Sequence, residues 1–144
     1  MDYFDARAEH DCRALMHRYV EAVDAQDYER LRELLTADAV LVRPSDPGRP
    51  VAGVEAIIAA MQARPRTQLG YHLVTNVIIE FDSPDEAHGS CRLLLYLADA
   101  ASPEVPGKGR PVAAMRVGAY ADRFVRTAQG WRIRERRGSM FAHG

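Results

Sequence analysis

Two long apolar segments, residues 71–82 and 87–98, read as one β-hairpin turned at Ser83-Pro84-Asp85-Glu86. In the first, odd positions carry Tyr71, Leu73, Thr75, Val77, Ile79 and Phe81, and even positions carry His72, Val74, Asn76, Ile78 and Glu80. The second contains Leu93-Leu94-Leu95-Tyr96-Leu97. A sheet with one wet face alternates apolar and polar residues along each strand. This pair is apolar on both faces at its centre, so both faces need cover. Helices can supply it on one side. A second copy of the chain is the simplest cover for the other, which predicts a homodimer through the sheet.

Helical periodicity appears where that first cover requires it. Over residues 5–25, Leu15, Tyr19, Ala22 and Val23 keep one face apolar, widened by Met16 and Val20. Asp27 is a good cap for a second helix, 28–36, carrying Leu31, Leu34 and Leu35. A short strand, Ala39-Val40-Leu41-Val42, and a proline-rich loop over 44–50 lead to a third helix, 54–64, opened by Gly53 and stopped by Pro65. After the hairpin, 99–111 is aperiodic, with Gly107 and Gly109, and is expected to be a mobile connection. Strands 112–126 and 130–141 follow, joined at Thr127-Ala128-Gln129-Gly130. The order predicts a single α+β domain over residues 1–144.

Charge and cysteine usage exclude several classes. The net charge of -1 gives no field that would draw in nucleic acid or an anionic membrane. Arg132, Arg134, Arg136 and Arg137 are a local exception, and spacing of two along a strand predicts one solvated face. The opening MDYFDARAEHD is acidic and lacks the basic start of a signal peptide, and no apolar run reaches membrane-spanning length. Cys12 and Cys91 match no metal or redox spacing, which predicts reduced thiols and a cytoplasmic location. There is no His-Glu-x-x-His, no Gly-rich phosphate loop and no Gly-x-Ser-x-Gly elbow, so no metal or other cofactor is expected. His10 and His17 read as solvated, His88 lies at a turn, and His143 is in the tail.

Two residues look placed for chemistry. His72 heads the long strand, with Val74, Asn76 and Ile78 as expected neighbours on its face. Asp24, 48 positions earlier, ends the first helix beside its buried stripe, where the helix dipole does not favour a carboxylate. A carboxylate that orients an imidazole in an apolar surround makes a general base that works near neutral pH. The bland alternatives are a histidine bonded to a backbone carbonyl and a solvated helix-end aspartate. Tyr19, Tyr96 and Tyr120 are candidate pocket hydroxyls, with core packing as the alternative. Arg43 is a candidate for the pocket mouth, with a surface position as the alternative. Val74 and Asn76 complete the expected substrate-binding set, and Trp131 is expected in the core.

Several strings resemble the SnoaL-like branch of the nuclear-transport-factor-2-like superfamily. They are Tyr19-Val20-Glu21-Ala22-Val23-Asp24-Ala25-Gln26-Asp27-Tyr28-Glu29-Arg30-Leu31, Gly53-Val54-Glu55-Ala56-Ile57, Tyr71-His72-Leu73-Val74-Thr75-Asn76 and Gly130-Trp131-Arg132-Ile133. The resemblance implies a cone-shaped, cystatin-like fold, with three N-terminal helices packed on a strongly curved, mostly antiparallel sheet. That superfamily hosts dehydratases, isomerases, cyclases, dehydrochlorinases, dioxygenase small subunits and non-catalytic binders. The pattern is most similar to scytalone dehydratase, bile-acid dehydratase and hexachlorocyclohexane dehydrochlorinase. By that resemblance His72 takes a proton from substrate and Asp24 orients it. Val23 and Arg43 stand where scytalone dehydratase has tyrosines, Leu97 where it has a second histidine, and Tyr120 where it has an asparagine. Arg43, Tyr120 or Tyr96 is then left to bind a carboxylate or to hold developing negative charge. The resulting expectation is a cofactor-independent lyase or isomerase acting on a small, largely apolar, ring-containing substrate. A non-catalytic binding or subunit-interaction module and a polyketide cyclase or monooxygenase-like enzyme are the alternatives.

Overall fold

Asp5 starts the first helix, its carboxylate accepting from the backbone N–H groups of Arg7 and Ala8. The computed structural model describes residues 5–144. Helix α1, Ala6–Asp24, buries Ala8, Cys12, Leu15, Met16, Tyr19 and Val20 at the three- and four-residue spacing of one helical face. Gln26 takes a positive φ of 55°, and Asp27 then caps α2, Tyr28–Glu33, by accepting from the Arg30 N–H at 3.1 Å. The chain leaves this helix earlier than expected. Leu34 and Leu35 are both buried, and strand β1 already runs from Leu35 to Val42. A two-residue strand, β2 (Val51–Ala52), precedes α3, Val54–Gln62. Four long strands complete the chain: β3 (Gln68–Ser83), β4 (Glu86–Asp99), β5 (Ala114–Thr127) and β6 (Gly130–His143).

The strands form one six-stranded sheet in the order β2-β1-β6-β5-β4-β3, antiparallel except for the β1–β6 pair. Helices α1 and α3 lie on its inner face, α1 against β3 and β6 and α3 against β1. Cys12, Met16, Leu31, Ile57, Leu93, Phe124 and Ile133 are fully enclosed between the layers. Each large apolar side chain buried there contributes about 1.5–3 kcal/mol. The expected α+β layout, helices on a curved and mostly antiparallel sheet, is the one observed.

The strand register slips at five places, and three of these bulges switch the phase of strands around the cavity or bring backbones into close contact. On β3, Asn76 adopts a φ of 55° and the pairing with β4 slips between Thr75 and Ile78. One extra residue moves every later side chain to the opposite face. His72 and Val74 therefore face inward, but so do Val77, Ile79 and Phe81, while Ile78 points out and is 59% exposed. The expected grouping of His72 with Asn76 and Ile78 is corrected on this ground. On β6 the register slips between the partners of Arg123 and Phe124, leaving Arg134 as the extra residue. Trp131 and Ile133 face inward before it and Arg136 after it. A third slip leaves Phe141 unpaired opposite Val117 and Gly118. Gly118 is obligatory there, since a Cβ would lie 2.1 Å from the Ser139 carbonyl oxygen.

The outer face of the sheet stays uncovered in the single chain. Tyr71, Leu73, Ile78 and Phe141 are each more than half exposed, and Arg92 stacks over the Phe141 ring at 4.9 Å. The segment after β4 is tied at both ends, Ala100 N–H to Thr67 O and Ala113 N–H to Leu97 O. His88 lies within β4 rather than in the turn. Its ring nitrogens meet Asp82 and Glu80 at 2.9 Å, and the hydrogen bond to Asp82, opposed by burial and aided by Glu80, holds the imidazole above its ordinary range.

Candidate active site

The last turn of α1 lies beside β3, and β3 is an edge strand whose outward amides have no strand neighbour. One of them, the His72 N–H, donates to Asp24 Oδ2 at 2.7 Å. The other carboxylate oxygen, Oδ1, lies 2.6 Å from His72 Nδ1. Asp24 thus grips both the backbone and the ring of His72, which offsets its unfavourable position at a helix C-terminus. An ionised carboxylate only accepts, so the ring proton sits on Nδ1 and the lone pair on Nε2. Nε2 has no hydrogen-bond partner among the described residues. Both side chains are largely enclosed, 10% exposed for His72 and 18% for Asp24.

The pair opens onto a cavity of about 480 Å³ between the helices and the inner face of the sheet. That volume suits a ring-sized ligand. Val23, Leu41, Met61, Leu95 and Leu97 make its apolar wall. Of the residues expected from the sequence, Tyr19, Asp24, Arg43, His72 and Tyr120 meet around it. Three do not. Val74 faces inward but packs into the core beyond the cavity. Asn76 is exposed at the bulge, bonded to Thr75 Oγ1 at 3.0 Å. Tyr96 pairs with Tyr71 and Met115 on the outer face, because it neighbours the inward-facing Leu95 and strand side chains alternate.

The largest correction concerns Arg136. It is not on a solvated face with Arg132, Arg134 and Arg137 but 1% exposed at the back of the cavity. Its Nε and Nη2 donate to the two oxygens of Asp122 at 2.9 and 2.6 Å, a bidentate pair. Its Cζ lies 4.0 Å from the ring centroids of both Tyr19 and Tyr120, so the cation sits in the fork between two aromatic faces. Burial alone would lower the guanidinium's affinity for its proton. The Asp122 charge overrides this and holds it above its ordinary range. Among the described residues Nη1 has no hydrogen-bond partner, and neither does the buried Tyr19 hydroxyl. Burial raises the Tyr19 and Tyr120 hydroxyls, with Arg136 opposing, so both stay protonated donors at neutral pH.

Gly138, two residues on, also faces the cavity. A Cβ there would lie 2.8 Å from Pro44 Cγ, so the missing side chain lets the loop after β1 close down on β6 and brings Arg43 to the rim. Neither cysteine is a nucleophile here. Burial, aided by Asp11, pushes the Cys12 thiol up to about 12, and burial also raises Cys91. Among the described residues no cluster of His, Cys, Asp or Glu is arranged to hold a metal ion.

Comparison with known proteins agrees with this architecture. The sequence profile of a SnoaL-like domain matches residues 5–137. A protein from Kribbella flavida is 26% identical, with a TM-score of 0.81, over 97% of this chain and 95% of that one. A protein from Novosphingobium aromaticivorans, provisionally assigned as a scytalone dehydratase, is 21% identical with a TM-score of 0.73, covering 96% of this chain and 85% of its own. A hexachlorocyclohexane dehydrochlorinase is 18% identical with a TM-score of 0.77, covering 97% and 92%. The last two likenesses speak to the fold alone. No curated protein matches the chain.

Proposed function

The chain belongs to the SnoaL-like domain family, and from that premise we propose a cofactor-independent lyase or isomerase of the dehydratase type, acting on a small, largely apolar, ring-containing substrate. The observation that carries this reading is the 2.6 Å contact between Asp24 and His72 at the wall of an enclosed cavity. His72 Nε2 removes a proton from a carbon next to a carbonyl. The C–H electrons form a carbon–carbon double bond as the carbonyl becomes an enolate. Protonated donors on Tyr19, Tyr120 and Arg136 Nη1 face that developing charge. When the neighbouring carbon bears a hydroxyl, the enolate collapses, the C–O bond breaks, and the imidazolium returns its proton to the leaving oxygen as water. With no leaving group, reprotonation elsewhere gives isomerisation. Asp24 fixes the tautomer and stabilises the imidazolium between the two transfers.

The reading is tested by incubating the protein with 2-tetralone and 3-hydroxy-1-indanone in D2O and following deuterium uptake and water loss by NMR. Wild type should accelerate one or both, and His72→Gln should lose about 10²–10⁴-fold while melting at the wild-type temperature. Full activity in His72→Gln would remove the base. Tight binding of these ketones with no exchange would favour the non-catalytic module, and ring closure of a linear polyketide the cyclase.

The proposal extends to assembly and location. No helix among the described residues is long and apolar enough to cross a membrane. We place the protein in the cytoplasm, with no membrane or nucleic-acid partner. The outer sheet face, bearing Tyr71, Leu73, Ile78 and Phe141, is broad and apolar, and a chain of net charge -1 opposes self-association little. A homodimer through this face should elute with twice the chain mass in light scattering, and Leu73→Glu should halve it. A wild-type monomer at micromolar concentration would refute the assembly.

A further inference from the structure

Some surface arginines of this fold meet carboxylates, as Arg7 does with Asp11 and Arg49 with Asp46, and others, such as Arg18 and Arg66, meet none among the described residues. The cavity gathers arginines. Arg43, Arg64, Arg116 and Arg136 all line it, against a single lining carboxylate, Asp24. Asp24 has both oxygens committed to His72, and Asp122, behind the wall, has both committed to Arg136. Arg43, Arg64 and Arg116 therefore have no acidic partner among the described residues, and the site is left with a positive excess beside a greasy wall.

Arg43 and Arg116 are partly buried, and Arg64 is exposed at the mouth of the cavity. Arg43 Nε is buried and makes no hydrogen bond to any described residue. Its backbone is fixed, because Pro44 rests on Gly138 where a side chain would otherwise stand. Arg116 spends Nη1 on the Met115 carbonyl at 3.1 Å and keeps its other donors. The charge of Arg64 is felt at the Tyr19 hydroxyl, deep in the cavity. Guanidinium forks gathered in a low-dielectric space are built to receive an oxyanion, and leaving a buried donor unpaired is costly.

We infer that the ligand is a ring compound bearing a carboxylate, which Arg43, Arg64 and Arg116 receive at the rim. This rests on the general-base reading for the position of the reacting carbon. The carboxylate is a handle and not the activating group. A carbon next to an ionised carboxylate is too weak an acid for an imidazole, so the acidifying carbonyl is a separate ketone lying against His72.

The test uses binding and needs no turnover. Titration of the intact protein with 2-naphthoate and with its neutral isostere 2-naphthamide should show the acid binding at least about tenfold more tightly. That preference should shrink as salt rises from 50 to 300 mM, since charge pairing is screened. Arg43→Gln and Arg116→Gln should each narrow the preference several-fold. His72→Gln should keep it, which separates this proposal from the base role. 2-Naphthyl phosphate distinguishes a carboxylate site from a phosphate site, and tighter binding of the phosphate would overturn the carboxylate. Equal affinity for acid and amide, failure of both to bind, or a preference untouched in both arginine variants would overturn it as well.

Discussion

Asp122→Ala is expected to cost about 3–5 kcal/mol of folding stability, read from urea denaturation, because it strands the Arg136 cation in the interior. Arg136 is 1% exposed and has no other acidic partner among the described residues. The Tyr19 and Tyr120 faces, worth about 0.5–2 kcal/mol for a cation over an aromatic ring, already hold the guanidinium in the wild-type protein and cannot replace a bidentate carboxylate. The reverse substitution behaves differently. In Arg136→Met only burial acts on Asp122, and burial raises a carboxyl. A carboxyl raised in the folded state binds its proton more readily folded than unfolded. The variant should therefore gain stability as the pH falls toward the acid range and lose it as the pH rises through the unfolded aspartate value near 3.9 and beyond. Asp122→Leu with Arg136→Met should recover most of the single-variant loss, since an apolar pair of similar volume often replaces a buried ion pair without penalty. Wild-type stability in Asp122→Ala would show that the cation is not confined as described.

Asp24→Asn should lower kcat by about 10²–10⁴-fold with little change in melting temperature. The amide keeps both contacts. Its oxygen still accepts from the His72 backbone, but its NH₂ now faces Nδ1 and donates to it. The ring proton moves to Nε2, and the lone pair meant for substrate is lost. Nitrogen NMR of the imidazole provides the independent readout, with Nδ1 protonated in wild type and Nε2 protonated in the variant. An active Asp24→Asn enzyme, or one whose tautomer is unchanged, would remove Asp24 from the mechanism.

Much of this architecture is legible in the sequence because its elements are long and strongly patterned. The apolar stripe of α1 and the meander from residue 71 to 141 suffice to place helices on an antiparallel sheet. Asp24 and His72 stand out in the sequence because one ends a periodic helix and the other begins a periodic strand, before any bulge upsets the count. Counting fails past a bulge. Period-two extrapolation through Asn76 assigns Asn76 and Ile78 to the wrong face, although an asparagine in a run of β-branched residues is itself a sign of a left-handed position. The same extrapolation through Arg134 hides Arg136. An unbroken hairpin from the Thr127–Gly130 turn would set Asp122 opposite Glu135, two like charges, and only the extra residue brings the arginine into register. Tyr96 fails more simply, since in a strand apolar on both sides nothing local says which side holds the ligand.

The clasp between α1 and the edge strand makes the site intolerant of one kind of change. Successive residues of a helix are about 100° and 1.5 Å apart. A single insertion anywhere in Ala6–Asp24 beyond the packed stripe would carry the carboxylate a third of the way round the barrel of the helix and undo both bonds to His72 together. The hairpin tip at Pro84 and Asp85 lies at the far end of β3, so added length there leaves the clasp alone. Drift in this lineage should thus accumulate as changes of loop length, while the number of residues between the opening cap and the acid stays frozen.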